Sequence, residues 1–353
     1  MDGDISGRLQ ERVVAAFAAG EPLRIVGGDS KSFLGRAPRG EALELAEHRG
    51  IVTYQPAELV ITARAGTSLS DIEVALADHR QMLPFEPPYF GEHATLGGTV
   101  ACGLSGPRRP YTGAVRDFVL GMKIINGRGE ALHFGGEVMK NVAGFDVSRL
   151  MAGAMGTLGV ILEVSLKVLP RPAHEVTLVQ EWGAVDAVEM MNDWAGRSLP
   201  LSASCYDGDR LYLRLSGTRT AVESAKRHIG GETLKEATLF WEGLREQRHG
   251  FFGGAASLWR LAVPPATPPL SLPGKWLLEW GGAQRWLRSD ADAATVRRSA
   301  LQAGGHATLF RGGSRDGERF QPLPQTMQDI HRRLKQAFDP KGILNPGRLY
   351  EWC

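Results

Sequence analysis

The chain alternates short apolar runs with glycine-rich breaks, and the spacing within each run separates helices from strands. Leu9, Val13, Val14 and Phe17 recur at helical intervals, which predicts a helix over residues 6–19 ended by Gly20 and Pro22. Residues 23–26 then read as a short strand entering a glycine-rich turn, and residues 59–65 as a further strand. Ser70-Asp71-Ile72-Glu73 has the capping-box pattern, so a second helix is expected to start there, carry Val74, Ala75 and Leu76, and end near His79. Asn126-Gly127-Arg128-Gly129 lies between strand-like runs at 118–125 and 131–134 and predicts a hairpin. A β-rich run over 158–169 stops at Pro170-Arg171-Pro172, which marks a domain boundary. Beyond it, 184–195 and 220–228 are helical in pattern, while 210–215, 259–263 and 276–280 are strand-like, an α+β arrangement with a proline-rich connection over 263–273. A last helix, 326–338, runs into Asp339-Pro340-Lys341-Gly342-Ile343-Leu344-Asn345-Pro346-Gly347-Arg348.

A chain of 353 residues is too long for one ordinary core and long enough for two, and 43% apolar with 23% charged residues is ordinary for a folded chain. Forty-one basic against 39 acidic side chains leave a formal charge of +2, too little for the phosphate neutralisation that nucleic-acid binding needs. No apolar run reaches membrane-spanning length and residues 1–10 are polar, so a cytoplasmic chain is expected. Cys102, Cys205 and Cys353 are too dispersed to form a disulfide framework or a metal or iron-sulfur ligand set, so no metal is expected and electrons must leave through another molecule. Trp241, Trp259, Trp276, Trp280 and Trp286 read as core or interface anchors.

Three glycine-rich stretches carry the chemistry: Val26-Gly27-Gly28-Asp29-Ser30-Lys31-Ser32-Phe33-Leu34-Gly35, Thr95-Leu96-Gly97-Gly98-Thr99-Val100-Ala101-Cys102-Gly103, and Gly153-Ala154-Met155-Gly156-Thr157-Leu158-Gly159. Glycine lets main-chain N–H groups turn toward one point and lets a ligand approach without meeting a Cβ. The dinucleotide fingerprint of a Rossmann unit, the P-loop, the zinc-peptidase motif and the hydrolase nucleophile elbow do not occur, so these loops serve another binding mode.

In the order and length of its motifs the chain resembles the FAD-binding oxidoreductases of the vanillyl-alcohol oxidase type, and among them the FAD-binding E subunits of bacterial glycolate oxidases. The resemblance runs through the first glycine stretch, Gln81-Met82-Leu83-Pro84-Phe85-Glu86-Pro87-Pro88, the second glycine stretch, Gly106-Pro107-Arg108-Arg109-Pro110-Tyr111, Val115-Arg116-Asp117-Phe118, Lys140-Asn141-Val142-Ala143-Gly144-Phe145-Asp146 and Asn345-Pro346-Gly347-Arg348. It implies an α+β fold with a two-subdomain FAD-binding domain over 1–170, a smaller α+β domain over 171–320 covering the flavin, and a segment, 321–353, returning to the first domain. The amides of Gly27, Gly28, Asp29, Ser30, Lys31 and Ser32, with Gly35, are then expected at the diphosphate, and Lys31 adds charge. Thr95, Leu96, Gly97, Gly98, Thr99, Cys102 and Gly103 would follow the ribityl chain and ring. Gly153, Gly156, Gly159 and Val160 would meet the adenine side, and Tyr111, Gly144 and Asn345 complete the set, with Lys140 and Asn141 beside the flavin. With no His in the first loop, FAD is expected to be non-covalent; His93 is the nearest candidate for a covalent link, read instead as a surface residue.

Two departures bear on catalysis. Ala154-Met155-Gly156 stands where the broader family often has Ser-Glu-Gly, and the His-x-Gly-Asp-Gly-Asn-x-His signature of the catalytic D-type partners does not occur. Oxidation of a 2-hydroxy acid at a flavin needs a cation for the carboxylate and a base for the hydroxyl proton. Arg260 and His306 are the candidates for these two roles, against the readings of a surface ion pair and a solvent-facing loop histidine. The implied partners are a homologous D-type flavin subunit and an iron-sulfur F-type subunit, with a small 2-hydroxy acid, glycolate or D-lactate, as substrate. Attachment to the inner membrane would then be peripheral, through the complex. A stand-alone FAD oxidase of another small alcohol or sugar acid, and a non-catalytic assembly module, remain alternatives.

Overall fold

The computed structural model describes residues 3–136 and 146–353. The helix Ser6–Ala19 buries Leu9, Val13 and Ala16 and ends at Gly20, whose left-handed φ of 72° suits a residue without a Cβ. Leu23–Val26 pairs in parallel with Glu41–Glu44. Beside this pair stands a five-stranded antiparallel sheet in the order Ile51–Gln55, Val60–Arg64, Val160–Lys167, Val119–Ile125, Ala131–Gly135. Its central strand is buried on both faces, so it reads in sequence as a nearly continuous apolar run rather than as an alternation. Asn126 shapes the hairpin: its Oδ1 accepts from the amides of Arg128 (2.9 Å) and Glu130 (3.0 Å).

Two local expectations are corrected. The second helix is Leu69–Asp78, with Ser68 as its N-cap: Ser68 Oγ accepts from the amide of Asp71 at 3.0 Å, and Ser70 lies inside the first turn. The two serines compete for one role, and the chain enters from an extended Ser68 (ψ 147°), which decides it. The second glycine stretch is not an open loop but the helix Leu96–Cys102, started by Thr95 and ended by Gly103.

Residues beyond Pro172 build an eight-stranded antiparallel sheet, in the order Glu232–Thr233, His174–Glu181, Arg210–Gly217, Leu201–Tyr206, Lys275–Glu279, Gln284–Arg288, Leu258–Ala262, His306–Arg311. Its outer face is covered by helices, among them Ala184–Ala195, Arg219–Ile229 and Ala293–Gln302, which bury Val188, Val222 and Val296. The inner face meets the first module in a mixed cluster of Leu34, Leu104 and Met155 with Cys205, Leu277, Trp286 and Phe310. Trp241 and Trp259 are buried as well, while Trp276 and Trp280 are half-buried. A charged seam crosses the same boundary. Glu86 accepts from Arg108 (Nε, 3.2 Å) and Arg214 (Nη2, 2.9 Å), and Glu175 accepts from Arg108 Nη2 at 2.8 Å. The two guanidiniums hold the Glu86 carboxyl below its ordinary range although burial alone would raise it.

The final helix, Gln325–Phe338, returns the chain to the first module. Buried Lys335 donates to the carbonyls of Thr157 (2.7 Å) and Leu344 (2.8 Å) and pairs with Asp339 at 2.8 Å. Asp339 in turn accepts from the amides of Ile343 (3.0 Å) and Leu344 (2.7 Å). The tail is thereby laid beside the first strand, where the amide of Leu23 donates to Ile343 (2.7 Å) and that of Asn345 to Leu23 (2.9 Å).

Removing one member of a buried ion pair strands the other, so Asp339→Ala is expected to cost about 3–5 kcal/mol of unfolding free energy, read by denaturant titration. His48 supplies a pH dependence. Its ring is fully buried, accepts from the amide of Ile5 (3.2 Å), and faces Asp4, Arg64 and Glu163. Desolvation, the largest influence, holds its pKa below the ordinary value. The unfolded chain therefore takes up a proton that the folded one resists. Stability is full above about pH 6.5 and falls as pH drops through that value. His48→Asn should flatten the decline of melting temperature between about pH 7 and pH 5.5.

Candidate cofactor site

Three bends enclose a cavity of about 260 Å³. The first follows the strand Leu23–Val26. Glycine is required there by close packing: a Cβ on Gly27 would stand 2.6 Å from Thr95 Oγ1, and one on Gly28 would overlap the carbonyl of His93. Asp29 then adopts a left-handed φ of 53°. The amides of Gly27, Gly28, Asp29, Ser30 and Lys31 donate to no acceptor among the described residues, whereas those of Ser32 and Leu34 bond back to Asp29 and Lys31, each at 3.1 Å. Backbone donors left free in a run at one bend form a concavity suited to an anion.

The second bend is the start of the helix Leu96–Cys102. Thr95 Oγ1 accepts from the amide of Gly98 (3.3 Å), and Gly97 lies so close to Ala65 that a Cβ would stand 2.6 Å from the alanine methyl. The third is the turn at 153–159, where Met155 and Gly156 have φ of 51° and 74°. Asn345 ties the bends together. Its Oδ1 accepts from the amide of Ile25 (2.8 Å) and its Nδ2 donates to the carbonyl of Met155 (2.7 Å).

Arg24, Lys31, Arg315 and Arg348 line the cavity, opposed among its described lining by the single carboxylate of Asp29. Lys31 Nζ donates to the carbonyl of Tyr89 (3.1 Å), and burial pushes its pKa down. Arg348 donates to the carbonyls of Arg36 (2.8 Å), Ser32 (3.2 Å) and Lys31 (3.4 Å); burial, its largest influence, brings it down to about 10. Cys102 also borders the space, and burial raises its thiol, which keeps it protonated and a poor nucleophile. Free amides and cations around one cavity fit a diphosphate by donor chemistry.

Of the residues singled out in the sequence, Gly27, Gly28, Asp29, Ser30, Lys31, Ser32, Thr95, Gly97, Gly98, Cys102, Gly156, Gly159 and Asn345 line this cavity. The others lie elsewhere. Leu96 and Val160 are core side chains, and Thr99 is fully buried with its hydroxyl unpaired among the described residues. Gly35 abuts the carbonyl of Arg348, Gly103 packs on Gly153, and Tyr111 sits against the cluster under the eight-stranded sheet. Lys140, Asn141 and Gly144 fall outside the described residues. His93 is exposed. Arg24, Arg315 and Arg348 were missed as lining residues. Arg348 closes a motif already singled out, but Arg315 reaches this site only through a contact 283 residues away in sequence, which no local pattern signals.

Arg260 and His306 share the inner face of the large sheet, in the pairs Arg260 with Thr308 and Ala262 with His306. Arg260 borders a second cavity of about 30 Å³, together with Gly106, Glu279, Gln284 and Trp286. Its guanidinium has no hydrogen-bond or ion-pair partner among the described residues, lies over the Phe310 ring at 6.0 Å, and is brought down to about 10 by burial and by Arg109. Glu279 accepts from Trp286 Nε1 (2.7 Å) and Gln284 Nε2 (3.0 Å), and burial pushes its carboxyl up. His306 is exposed at the start of its strand and borders neither cavity, so the structure does not bring the two candidates together around one space.

Residues 7–135 match the model of an FAD binding domain, and residues 324–349 that of the C-terminal domain of FAD linked oxidases. The chain is 51% identical over 347 residues to the glycolate oxidase subunit GlcE of Escherichia coli strain K12, covering 98% of each chain. The chain belongs to the GlcE family of FAD-linked oxidoreductases. FAD is the cofactor of this family. More distant relatives include the glycolate oxidase subunit GlcD of Bacillus subtilis strain 168, 24% identical over 85% of this chain and 77% of that one. A D-lactate dehydrogenase of Archaeoglobus fulgidus is 25% identical over 93% and 86%. The fold is that of p-cresol methylhydroxylase, with a TM-score of 0.73 at 16% identity over 97% of this chain and 87% of that one. Among the described residues no helix is long and apolar enough to cross a membrane, and no cluster of metal-binding side chains occurs.

Gly28→Ala is expected to force the first bend away from His93, lowering both the melting temperature and the fraction of protein purified with flavin. Thermal unfolding and the ratio of visible to ultraviolet absorbance measure the two effects.

Proposed function

We propose that this chain is the E-type FAD subunit of a complex that oxidises glycolate, and D-lactate as a close analogue, to the 2-oxo acid. A D-type flavin subunit and an iron-sulfur F-type subunit complete the electron route. The observation that carries the reading is the run of five amides at Gly27–Lys31, without an acceptor among the described residues and set among cationic side chains, within a chain that is 51% identical to a glycolate oxidase subunit. GlcD and D-lactate dehydrogenase among the relatives support a 2-hydroxy acid as substrate and a D-type partner.

Bound FAD supplies a two-electron acceptor able to take a hydride and to pass electrons on singly. The chain's own residues then have separate tasks. The amides of residues 27–31 hold the diphosphate, with Lys31 and Arg348 adding charge-assisted hydrogen bonds. Thr95 fixes the helix on which Gly97 and Gly98 leave room for the cofactor, and Asn345 keeps the 153–159 turn against the first strand. Cys102, the thiol in the described lining, is held protonated by burial, which supports a cofactor retained without a covalent bond.

Dependence on the partner for substrate turnover is supported by the placing of the two candidate groups: Arg260 borders the second cavity, whereas His306, the candidate base, borders neither. Own catalysis is the second reading, favoured by the guanidinium of Arg260, which has no hydrogen-bond or ion-pair partner among the described residues and borders the second cavity.

FAD should leave the chain on denaturation, with no added mass on the polypeptide by mass spectrometry. Mixed with glycolate, the isolated chain should keep its oxidised flavin spectrum, and rapid bleaching would replace the dependent-subunit reading with own catalysis. The cavity itself is tested by Gly98→Ala. Its Cβ would meet only Thr95 Oγ1, at 3.2 Å. Because Ala favours a helix over Gly by about 1 kcal/mol, the apo-protein should keep its melting temperature. Its FAD affinity should fall, and unchanged affinity would place the cofactor elsewhere.

A further inference from the structure

The segment joining the eight-stranded sheet to the final helix passes over the 260 Å³ cavity and places one side chain there, Arg315. Its Nη2 donates to the carbonyl of Ser32, and its own carbonyl accepts from the amide of Ala37 at 3.4 Å. Arg348 Nη1 donates to the same Ser32 carbonyl, at 3.2 Å. Two guanidiniums therefore converge on one neutral oxygen. Neither forms an ion pair with a carboxylate among the described residues, and Arg315 Nε is buried without an acceptor among them. Like charges held together in a partly desolvated place repel, and a bound anion would turn that repulsion into attraction. Asp29 is the only carboxylate bordering the cavity among its described lining, so that lining leaves the cations in excess.

We propose that Arg315 is a diphosphate ligand delivered from the far side of the molecule, so that bound FAD clamps the 312–318 segment onto the first glycine bend and locks the large sheet over the cofactor. This rests on the reading that the cavity holds FAD. The amides of residues 27–31 approach the anion from one side, and Arg315 completes the shell from the strand-to-helix connection. Ser32 is the hinge between them, its carbonyl held by both arginines and its amide by Asp29. The clamp predicts opposite signs for the two states of the protein. Without an anion, Arg315 adds repulsion; with one, it adds a charge-assisted hydrogen bond.

The test compares the full-length wild type, Arg315→Gln and Arg315→Lys, each as flavin-stripped and FAD-reconstituted protein. Losing one charge-assisted hydrogen bond should weaken FAD binding of Arg315→Gln about ten- to a hundred-fold, and Arg315→Lys should retain most of the affinity. Stripped Arg315→Gln should melt at or above the stripped wild type. Hydrogen exchange of residues 312–318 should slow when FAD or inorganic pyrophosphate is added to the wild type, and should not slow in Arg315→Gln. Equal loss of melting temperature in stripped and reconstituted Arg315→Gln would make Arg315 a structural strap and overturn the proposal, as would unchanged FAD affinity. A wild type that takes up FAD without any slowing at 312–318 would also overturn it, leaving the cavity assignment intact. A wild type that neither takes up FAD nor is stabilised by pyrophosphate would sink the cavity assignment and this inference together.

Discussion

The architecture turns on a backbone constraint: five successive amides at Gly27–Lys31 find no acceptor among the described residues and stand at the mouth of a cavity. Main-chain donors seek acceptors, and an ordinary turn would close on itself to satisfy them. Here the bend is prevented from closing because its glycines are pressed against Thr95 and the His93 carbonyl while Asn345 holds the preceding strand by the amide of Ile25. The donors are thus kept free by contacts from elements far apart in the chain, which is how preorganisation for an anion is built into a fold.

The tail is central to that arrangement. Asp339 and Lys335 order the segment that ends in Asn345 and Arg348, through two amides on one side and two carbonyls on the other. Arg348 then takes three carbonyls around the first bend, so its donors shape the loop from behind while its charge raises the potential in front. At the opposite boundary, the seam of Glu86 with Arg108 and Arg214 fixes the large sheet to the first module, as does Trp280 Nε1 donating to Gly106 at 3.1 Å. Arg260 and Glu279 lie just behind that seam, and burial shifts both toward their neutral forms.

Much of the local structure was legible in the residues. The helices at both ends, the Asn126 hairpin and the central strand follow from periodicity and turn chemistry, because each is settled by neighbours in sequence. Strands such as Ile51–Gln55 and His306–Arg311 carried no such signal. The first is an edge strand with Ile51 and Val52 exposed, and the second is buried mainly through partners across the sheet. Thr95–Cys102 misled for a related reason: its glycines suggest a loop, but Thr95 caps it and Leu96 and Val100 bury one face, so packing outweighs propensity.

By itself the sequence determined the glycine bends, the chemistry they favour and the family, since those depend on residue types at short spacing. Which glycines face the cavity and which merely admit a neighbouring backbone was decided only in three dimensions. So was the gathering of Arg24, Lys31, Arg315 and Arg348 around one space, and the placing of Arg260, but not His306, at the second cavity. The physical reason is range. Conformational preference acts over a few residues, whereas burial, charge convergence and an unpaired donor are properties of atoms brought together from opposite ends of the chain.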